Sequence, residues 1–223
     1  MTLDQKIDAA TGLIASVFAD HALPACVTCS FQTECMALVD LVIAQSPDIP
    51  VLFLETGYHF PETYAYRDQM TERMRLNLVN LSSRQSVEAQ ESQFGILYQT
   101  APDRCCGMRK VEPLFRGLED YGVWFTALRR EQSPTRANLQ GVDQFRLPTG
   151  KQLVKVSPLA DWTNADVWNY LKRRNIPVLP LYEQGYTSVG CAPCTTLPAD
   201  PDNPRSGRWS GKKLECGIHI ASD

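Results

Sequence analysis

The chain has 223 residues, 43% of them hydrophobic, and a formal net charge of -3 at pH 7. This length can bury the core of one domain, the acidic balance disfavours a nucleic-acid-binding protein, and no stretch reaches the ~20 apolar residues that span a bilayer. The N-terminal segment has acidic residues and helical spacing, unlike a signal peptide, so we expect a cytoplasmic protein whose eight cysteines are ligands or nucleophiles rather than disulfides.

Helices and strands alternate in the predicted secondary structure. Apolar side chains recur at helical spacing in the helical segments, and short apolar runs between them predict strands. The predicted strands are 24–30, 51–56, 76–83, 123–130 and 153–159. The predicted helices are 3–19, 33–45, 86–99 and 163–176, with N-caps at Thr33 and at Thr163 or Asn164, and residues 57–74 are predicted to form a turn and then a helix with Pro61 near its first turn. This alternation predicts an α/β fold, in which helices flank a mainly parallel sheet.

Regular periodicity ends near Pro177, and Pro, Gly and Arg dominate the rest of the chain. We therefore expect one α/β domain over residues 1–204. Residues 205–223 are expected to form an irregular, mobile C-terminal tail that contributes to the site.

Two loops follow predicted strands and lead into helices. They are Ser30–Thr33 and Glu55–Gly57. Ligands of open α/β folds bind at this edge of the sheet, where helix N-termini offer N–H groups to phosphate. The first loop lacks glycine and matches no Walker or GxGxxG motif, so an ordinary strand-to-helix turn capped by Ser or Thr is the favoured interpretation of this segment taken alone.

Two groups of cysteines are the most informative feature of the sequence. Cys105 and Cys106 are adjacent, Cys191 and Cys194 form a CxxC motif, and the two groups lie far apart in the chain. Adjacent residues can share one centre from a turn or a helix end, and Gly107 would permit a bend there. A 4Fe-4S cluster accepts such ligands more readily than tetrahedral zinc, so we favour a cluster. Zinc, or structural thiols beside an unrelated CxxC, are the alternatives.

The other cysteines divide into two kinds. Cys216 lies near the end of the chain, after Lys212 and Lys213, and nearby positive charge favours a nucleophilic thiolate. Cys26, Cys29 and Cys35 lie in or beside apolar segments and are interpreted as small core residues.

Basic residues in three segments could hold an anion. They are Lys110, Arg129, Arg130, Arg136, Arg205 and Arg208. Guanidinium groups bind phosphate or sulfate through paired hydrogen bonds, so converging arginines would suit a multiply charged substrate. Exposed arginines without a function are the simpler alternative for each one alone.

Together these segments resemble the assimilatory adenylylsulfate reductases of the phosphoadenylylsulfate/adenylylsulfate reductase family. The matching stretches are SFQTE, FLETGYHFPETY, CCGMRKVEPL, RREQSPTR, GYTSVGCAPCT, GRW and ECGIH, from about residue 28 to 220. The chain departs from the family pattern at Gln32–Cys35, where a small residue or glycine usually precedes Glu-Asp, and at Thr126–Ala127.

The resemblance implies an adenine nucleotide α-hydrolase-like fold and reduction of adenosine 5'-phosphosulfate to sulfite and AMP. It implies that Cys216 attacks the substrate sulfur and that thioredoxin or glutaredoxin then releases sulfite. The implied cluster ligands are Cys105, Cys106, Cys191 and Cys194. The implied substrate-binding residues are Ser30, Leu54, Thr56, Gly57, Lys110, Arg136, Arg205, Arg208 and His219.

Three other functions are considered. The substrate could carry a 3'-phosphate, instead of or besides the unphosphorylated form. A tRNA-thiolating relative would normally have an SGGxDS-type loop and a basic RNA-binding face, which this sequence lacks. A zinc-stapled nucleotide-binding module without catalysis is the alternative outside the enzymes.

Overall fold

Helices and strands alternate in the computed structural model, which describes residues 1–200, 203, 205–209 and 217–218. The strands are β1 (Ala25–Thr28), β2 (Pro50–Glu55), β3 (Asn77–Ser82), β4 (Val123–Phe125), β5 (Val142–Arg146) and β6 (Gln152–Val156). The helices are α1 (Leu3–Asp20), α2 (Thr33–Ile43), α3 (Pro61–Met74), α4 (Val87–Phe94), α5 (Leu97–Thr100), α6 (Pro102–Cys106), α7 (Glu112–Leu118) and α8 (Asn164–Arg173). A π-helical turn, Gly107–Val111, joins α6 to α7.

The described strands form a six-stranded sheet in the order β3-β2-β1-β4-β6-β5. All neighbours are parallel except β5, which pairs antiparallel with β6. The chain builds outward from β1 to β3 and then returns to place β4 on the other side of β1. This reversal opens a crevice at the carboxyl ends of β1 and β4, where open α/β sheets bind ligands. The predicted α/β class with a mainly parallel sheet is confirmed.

The central strands of the sheet are covered on both faces, and their successive side chains point alternately to the two sides. Val27 and Phe125 pack on one face with residues of α1, α2 and α8. Cys26 and Trp124 pack on the other face with residues of α7. The central strands are therefore apolar on both sides, as expected for covered parallel strands.

Three local features differ from the sequence-based prediction. β5 was not predicted, because only Phe145 of its five residues is buried and the pattern of an edge strand is weak. The predicted helix over 86–99 is divided into α4 and α5 around Gly95, whose φ is +70°. Gln32 rather than Thr33 is the N-cap of α2, whereas Thr163 caps α8 as predicted. Among the described residues, no helix is both long and apolar enough to cross a membrane.

Candidate functional site

A cavity of about 1050 Å³, including its open mouth, lies at the carboxyl edge of the sheet. Its floor comes from the ends of β1 and β2, including Thr28 and Leu54, and one wall comes from Ala127 and Leu128 after β4. The fold thus places the cavity at the strand reversal, where the apolar walls can hold a base and the adjoining loops can reach its substituents.

The loop after β1 is held in one conformation by its central residue. Phe31 is fully buried, has a left-handed φ of +58°, and packs edge-on against Phe53 with ring centroids 5.6 Å apart. Its burial leaves Ser30 exposed at the cavity, where the Ser30 Oγ accepts from Gln32 Nε2 at 3.1 Å. Gln32 Oε1 in turn accepts from the Val189 N–H at 3.0 Å, which ties this loop to the chain segment before the CxxC motif.

Four predicted anion-binding side chains converge on this cavity from different parts of the chain. They are Lys110, Arg136, Arg205 and Arg208. Glu34 supplies the carboxylate among the described lining residues, and it accepts from Gln132 Nε2 at 2.6 Å and from Thr33 Oγ1 at 3.0 Å. The lining therefore carries an excess of positive charge, which suits a ligand with several negative charges.

Arg208 shows how the backbone makes room for one of these cations. Its side chain is buried, lies 4.5 Å from the Trp209 ring centroid, and donates to the Val189 carbonyl at 3.1 Å and to Ser188 Oγ at 3.3 Å. A Cβ at Gly190 would collide with the Arg208 guanidinium, so the lack of a side chain at 190 allows this packing.

The four cysteines of the predicted cluster site line a second cavity of about 310 Å³. They are Cys105, Cys106, Cys191 and Cys194. Aromatic side chains of Tyr58, Tyr98 and Trp209 complete much of its wall. Within the described part of the chain, no three or more His, Cys, Asp or Glu side chains lie close enough together to hold a single metal ion. The space between the thiols is instead a small chamber.

Cys105 and Cys106 end helix α6, and adjacent helical residues point only about 100° apart, so both can face one chamber. Gly107 does not bend the chain there, in contrast to our expectation. Its φ of -53° and ψ of -54° are helical, and the chain continues through the π turn into α7. The adjacent cysteines therefore line the same chamber because they are helical, not because glycine turns the backbone.

The CxxC loop is held against the turn after β2. The Ala192 N–H donates to the Tyr58 carbonyl at 2.7 Å, and the Cys191 thiol donates to Thr56 Oγ1 at 3.4 Å. Inside the loop, the Cys194 N–H and the Thr195 hydroxyl both donate to the Cys191 carbonyl, at 3.0 and 2.9 Å. These bonds bring the second cysteine pair to α6, although the two pairs are far apart in the sequence.

The electrostatics of this chamber fit thiol ligands of a cationic metal centre. Burial, with smaller effects from the other three cysteines, raises the pKa of Cys105 to about 11. Burial and Cys191 likewise raise the pKa of Cys194, whereas Lys110 and Arg208 oppose this. Burial and crowding both disfavour four thiolates here, and a cationic metal centre bound to them would offset both effects.

Two residues connect the cavities. Lys110 and Trp209 line both the large cavity and the four-thiol chamber. An anion in the large cavity and a metal centre in the chamber would therefore share Lys110 as a neighbour.

Thr56 and Gly57 are not among the lining residues of the large cavity. Thr56 is fully buried beside Cys191, and Gly57 has a left-handed φ of +73° with its N–H on Glu55 Oε1 at 2.8 Å. Arg109, which the sequence analysis did not single out, is buried and bonds to the Thr56 carbonyl and to Gln90 Oε1. This turn therefore positions the chamber rather than the cavity.

His59 is a further lining residue that the sequence analysis missed. Its Nε2–H donates to the Leu54 carbonyl at 2.8 Å, and its ring packs on Phe53 with centroids 4.9 Å apart. Burial lowers its pKa to about 4, so it is neutral at pH 7. Cys26 and Cys29 are core residues as predicted, and Cys35 packs against the core, but Cys29 and Cys35 also line the cavity. The local sequence pattern gives no sign that His59, Cys29 or Cys35 lines the cavity.

Cys216 and His219 lie outside the described residues. Ile218, which is described, lines the large cavity.

The strand-end cavity and the sheet order define an α/β protein with a mainly parallel sheet and a ligand-binding crevice at its strand reversal. The profile of the family described as "Phosphoadenosine phosphosulfate reductase domain" matches residues 24–197. The chain therefore belongs to this family.

Similar proteins carry two different names. A relative from Geobacillus kaustophilus (strain HTA426), named adenosine 5'-phosphosulfate reductase, is 41% identical over 98% of this chain and 93% of its own length. A relative from Gloeobacter violaceus (strain ATCC 29082 / PCC 7421), named phosphoadenosine 5'-phosphosulfate reductase, is 45% identical over 85% of this chain and 80% of its own length.

Solved structures with low identity share the fold. Phosphoadenylyl-sulfate (PAPS) reductase from Candida auris, in a phosphate complex, has a TM-score of 0.70 and 21% identity over 87% of this chain and 96% of its own. An FMN adenylyltransferase from Candida glabrata has a TM-score of 0.66 and 15% identity over 99% and 75% of the two chains. At these identities the likeness concerns the fold alone.

Proposed function

We propose that this protein reduces adenosine 5'-phosphosulfate to sulfite and AMP with electrons from a thiol, in sulfate assimilation and cysteine biosynthesis. The observation that carries the proposal is the convergence of Lys110, Arg136, Arg205 and Arg208 on a cavity at the nucleotide-binding edge of the sheet. A nucleotide phosphosulfate needs an apolar crevice for adenine and cations for its phosphate and sulfate. Family membership and the relative named adenosine 5'-phosphosulfate reductase support the same substrate.

Cys216 is the proposed nucleophile. Its thiolate attacks the substrate sulfur, the bond from sulfur to the phosphate oxygen breaks, and AMP leaves with the bonding electron pair. The enzyme then carries an S-sulfocysteine. Support comes from the ECGIH motif and from Ile218, two residues further along the chain, which lines the cavity. We assign His219 to the phosphosulfate from the resemblance, and treat residues 205–223 as the segment that delivers the nucleophile.

The cations stabilise the charge that develops on the leaving phosphate. Lys110 and the three arginines line the cavity, and a well-placed donor of this kind contributes about 3–4 kcal/mol to the transition state. Ser30 and Leu54 are proposed to contact the nucleotide from the strand ends. Thr56 and Gly57 support the site from the neighbouring turn, where Thr56 bonds to Cys191.

An external dithiol completes the reaction. One thiolate attacks the Cys216 sulfur, sulfite leaves, and the second thiol resolves the mixed disulfide to restore Cys216. The dithiol is oxidised to a disulfide, which balances the two electrons gained by sulfur. We propose thioredoxin or glutaredoxin as this reductant, and a cytoplasmic location, because both are reducing partners of that compartment.

Cys105, Cys106, Cys191 and Cys194 are the proposed ligands of a 4Fe-4S cluster. The cluster would supply fixed charge and rigidity beside Lys110 rather than electrons, because thiol chemistry already balances the reaction. Zinc is the alternative occupant. Anaerobic purification with iron, sulfide and zinc analysis distinguishes them, since a colourless protein with one zinc per chain would contradict the cluster.

The test of the proposed reaction is the variant Cys216→Ser. We expect it to release no sulfite, while it retains AMP binding and visible cluster absorbance, because only the nucleophile is lost. Cys26→Ala removes a fully buried thiol from the other face of the sheet and serves as the matched control, with turnover retained. Sulfite release by the Cys216→Ser protein would refute the mechanism.

Substrate choice is tested with wild-type protein and thioredoxin. We expect faster turnover of adenosine 5'-phosphosulfate than of its 3'-phosphorylated form. The opposite order would assign the protein to the activity for which the G. violaceus relative is named.

A further inference from the structure

Glu34 is an unexpected residue in a cavity that cations line. It lies in the first turn of α2 and lines the large cavity together with Lys110, Arg136, Arg205 and Arg208. A carboxylate near the phosphate of a ligand opposes binding, because like charges repel. The proposed reaction gives Glu34 no role, but its hydrogen bonds lead to one of the four cations.

Gln132 connects Glu34 to Arg136. Its Nε2 donates to Glu34 Oε1 at 2.6 Å, and its Oε1 accepts from the Arg136 guanidinium. The same oxygen accepts from the Arg129 N–H at 3.0 Å. Glu34, Gln132 and Arg136 all line the large cavity. The Gln132 side chain therefore bridges helix α2 and the loop after β4, two segments that lie far apart in the sequence.

The chemistry of its neighbours fixes the orientation of the Gln132 amide. A carboxylate only accepts hydrogen bonds and so requires the amide nitrogen, whereas the Arg129 N–H and the Arg136 guanidinium only donate and so require the amide oxygen. Glu34 is itself held, because its Oε2 accepts from Thr33 Oγ1 at 3.0 Å and the first turn of a helix favours a negative side chain. Each bond in the chain from Thr33 to Arg136 thus joins a donor to a matching acceptor.

We propose that Gln132 is a positioning residue that holds the Arg136 guanidinium for the phosphate of the nucleotide, and that Glu34 is its anchor. Gln132 and Arg136 belong to the same loop, so the bond between them does not by itself fix either side chain to the rest of the fold. The bond to Glu34 ties them to α2, which packs in the core. This inference rests on the proposed function in one respect, that Arg136 holds the nucleotide phosphate.

Anchoring and simple repulsion predict opposite effects of the variant Glu34→Ala. A carboxylate that only repels the phosphate would, when removed, leave AMP more tightly bound. A carboxylate that anchors Gln132 would, when removed, leave AMP less tightly bound, because Arg136 loses its support. Glu34→Gln separates the two effects, since its Oε1 can still accept from Gln132 Nε2 although the charge is gone.

The test is calorimetric titration of the anaerobic full-length protein with AMP and with adenosine. We expect Glu34→Ala to weaken AMP binding about five- to tenfold and to change adenosine binding by less than about twofold, because adenosine lacks the phosphate that Arg136 holds. Glu34→Gln should bind AMP at least as tightly as wild type. Unchanged or tighter AMP binding by Glu34→Ala, or an equal loss in both variants, would overturn the proposal. So would an equal loss of adenosine binding, which would place Glu34 against the nucleoside.

Gln132→Ala tests whether Gln132 is the link. We expect Glu34→Ala to weaken AMP binding in the wild-type background but not in Gln132→Ala, where the anchor has no side chain to hold, and a double-mutant cycle measures this difference. The same loss in both backgrounds would contradict the link. Thermal unfolding and cluster absorbance of every variant identify any loss of fold.

Arg136→Ala separates this inference from the proposed function. We expect it to weaken AMP binding at least as much as Glu34→Ala does, because it removes the cation itself. Unchanged AMP binding by Arg136→Ala would refute the role of Arg136 in the proposed function, and this inference with it. A loss in Arg136→Ala without one in Glu34→Ala would overturn this inference alone.

Discussion

Lys155 and Lys110 show how the surroundings of one residue decide what a cation does. Lys155 lies on β6 and is 8% exposed, with its Nζ 5.2 Å from the Trp124 ring centroid and 5.0 Å from that of Phe145. Burial lowers its pKa to about 8. Lys110 instead lies between the two cavities. Only Lys110 can meet a substrate, whereas Lys155 affects stability.

Replacing Lys155 with methionine should alter the pH dependence of stability. The pKa of Lys155 falls from 10.5 to about 8 on folding, so between these values the unfolded chain binds a proton that the folded protein does not. Wild type therefore gains stability relative to Lys155→Met as pH rises through this window, by about 2–3 kcal/mol. Urea unfolding of both proteins at pH 7.5 and pH 10 measures this change. A difference that is constant across pH would contradict it.

At the scale of elements, the continuous helical run Pro102–Leu118 organises the site. The run consists of α6, the π turn and α7, and it presents Cys105 and Cys106 to the chamber and Lys110 to both cavities. A π turn shifts the register of the helical faces that follow it. Because of the π turn, one helical run can direct Cys105 and Cys106 to the chamber and also pack on the sheet through α7.

Gly107→Ala should be tolerated although residue 107 adjoins a proposed ligand. Its backbone is helical and no atom lies within 4 Å of an added Cβ. Alanine should raise the free energy of unfolding by about 0.5–1 kcal/mol, with unchanged iron content. Thermal unfolding and iron analysis measure both quantities.

Gly57→Ala is the contrasting variant for that prediction. Gly57 has a φ of +73°, and an added Cβ would lie 2.6 Å from Val87 Cγ2 and 3.3 Å from Arg109 Nη2. We expect it to lose about 1–3 kcal/mol of stability. A loss of stability in Gly107→Ala as large as that in Gly57→Ala would contradict a helical, uncrowded backbone at residue 107.

At the scale of the whole molecule, the four-thiol chamber joins parts of the fold that are distant in sequence. Cys105 and Cys106 belong to α6, whereas Cys191 and Cys194 lie in a loop that follows β6 and α8. A centre bound by all four closes the long stretch of chain between Cys106 and Cys191 into a loop. By analogy with a disulfide, such a closure contributes about 4 kcal/mol to stability.

Removal of iron should therefore loosen both segments and leave the sheet intact. We expect hydrogen–deuterium exchange to increase in residues 102–118 and 188–196 after anaerobic chelation, and to stay unchanged in β1 and β2. The central strands are buried on both faces and do not depend on the chamber. Unaltered exchange in residues 188–196 would contradict a centre shared by the two cysteine pairs.

Local patterns determined the fold class and most elements. Apolar runs such as Val51–Phe53 are recognisable as strands because both of their faces are buried, and Thr163 is recognisable as a cap from its spacing to Asp166. The cysteine motifs and the resemblance likewise indicated the family. These properties depend on neighbours in the chain, so the sequence alone contains them.

Only the tertiary structure decided which residues meet. The order of the strands brings Arg136 and Arg208 to one cavity, and packing of the π turn near the CxxC loop, far along the chain, places Lys110 beside the cysteines. The sequence pattern of Cys29 and Cys35 predicts core residues, which they are or pack against, but only the fold of the loop around buried Phe31 decides that both residues also line the cavity. Contacts of this kind depend on distances through space, which sequence spacing does not specify.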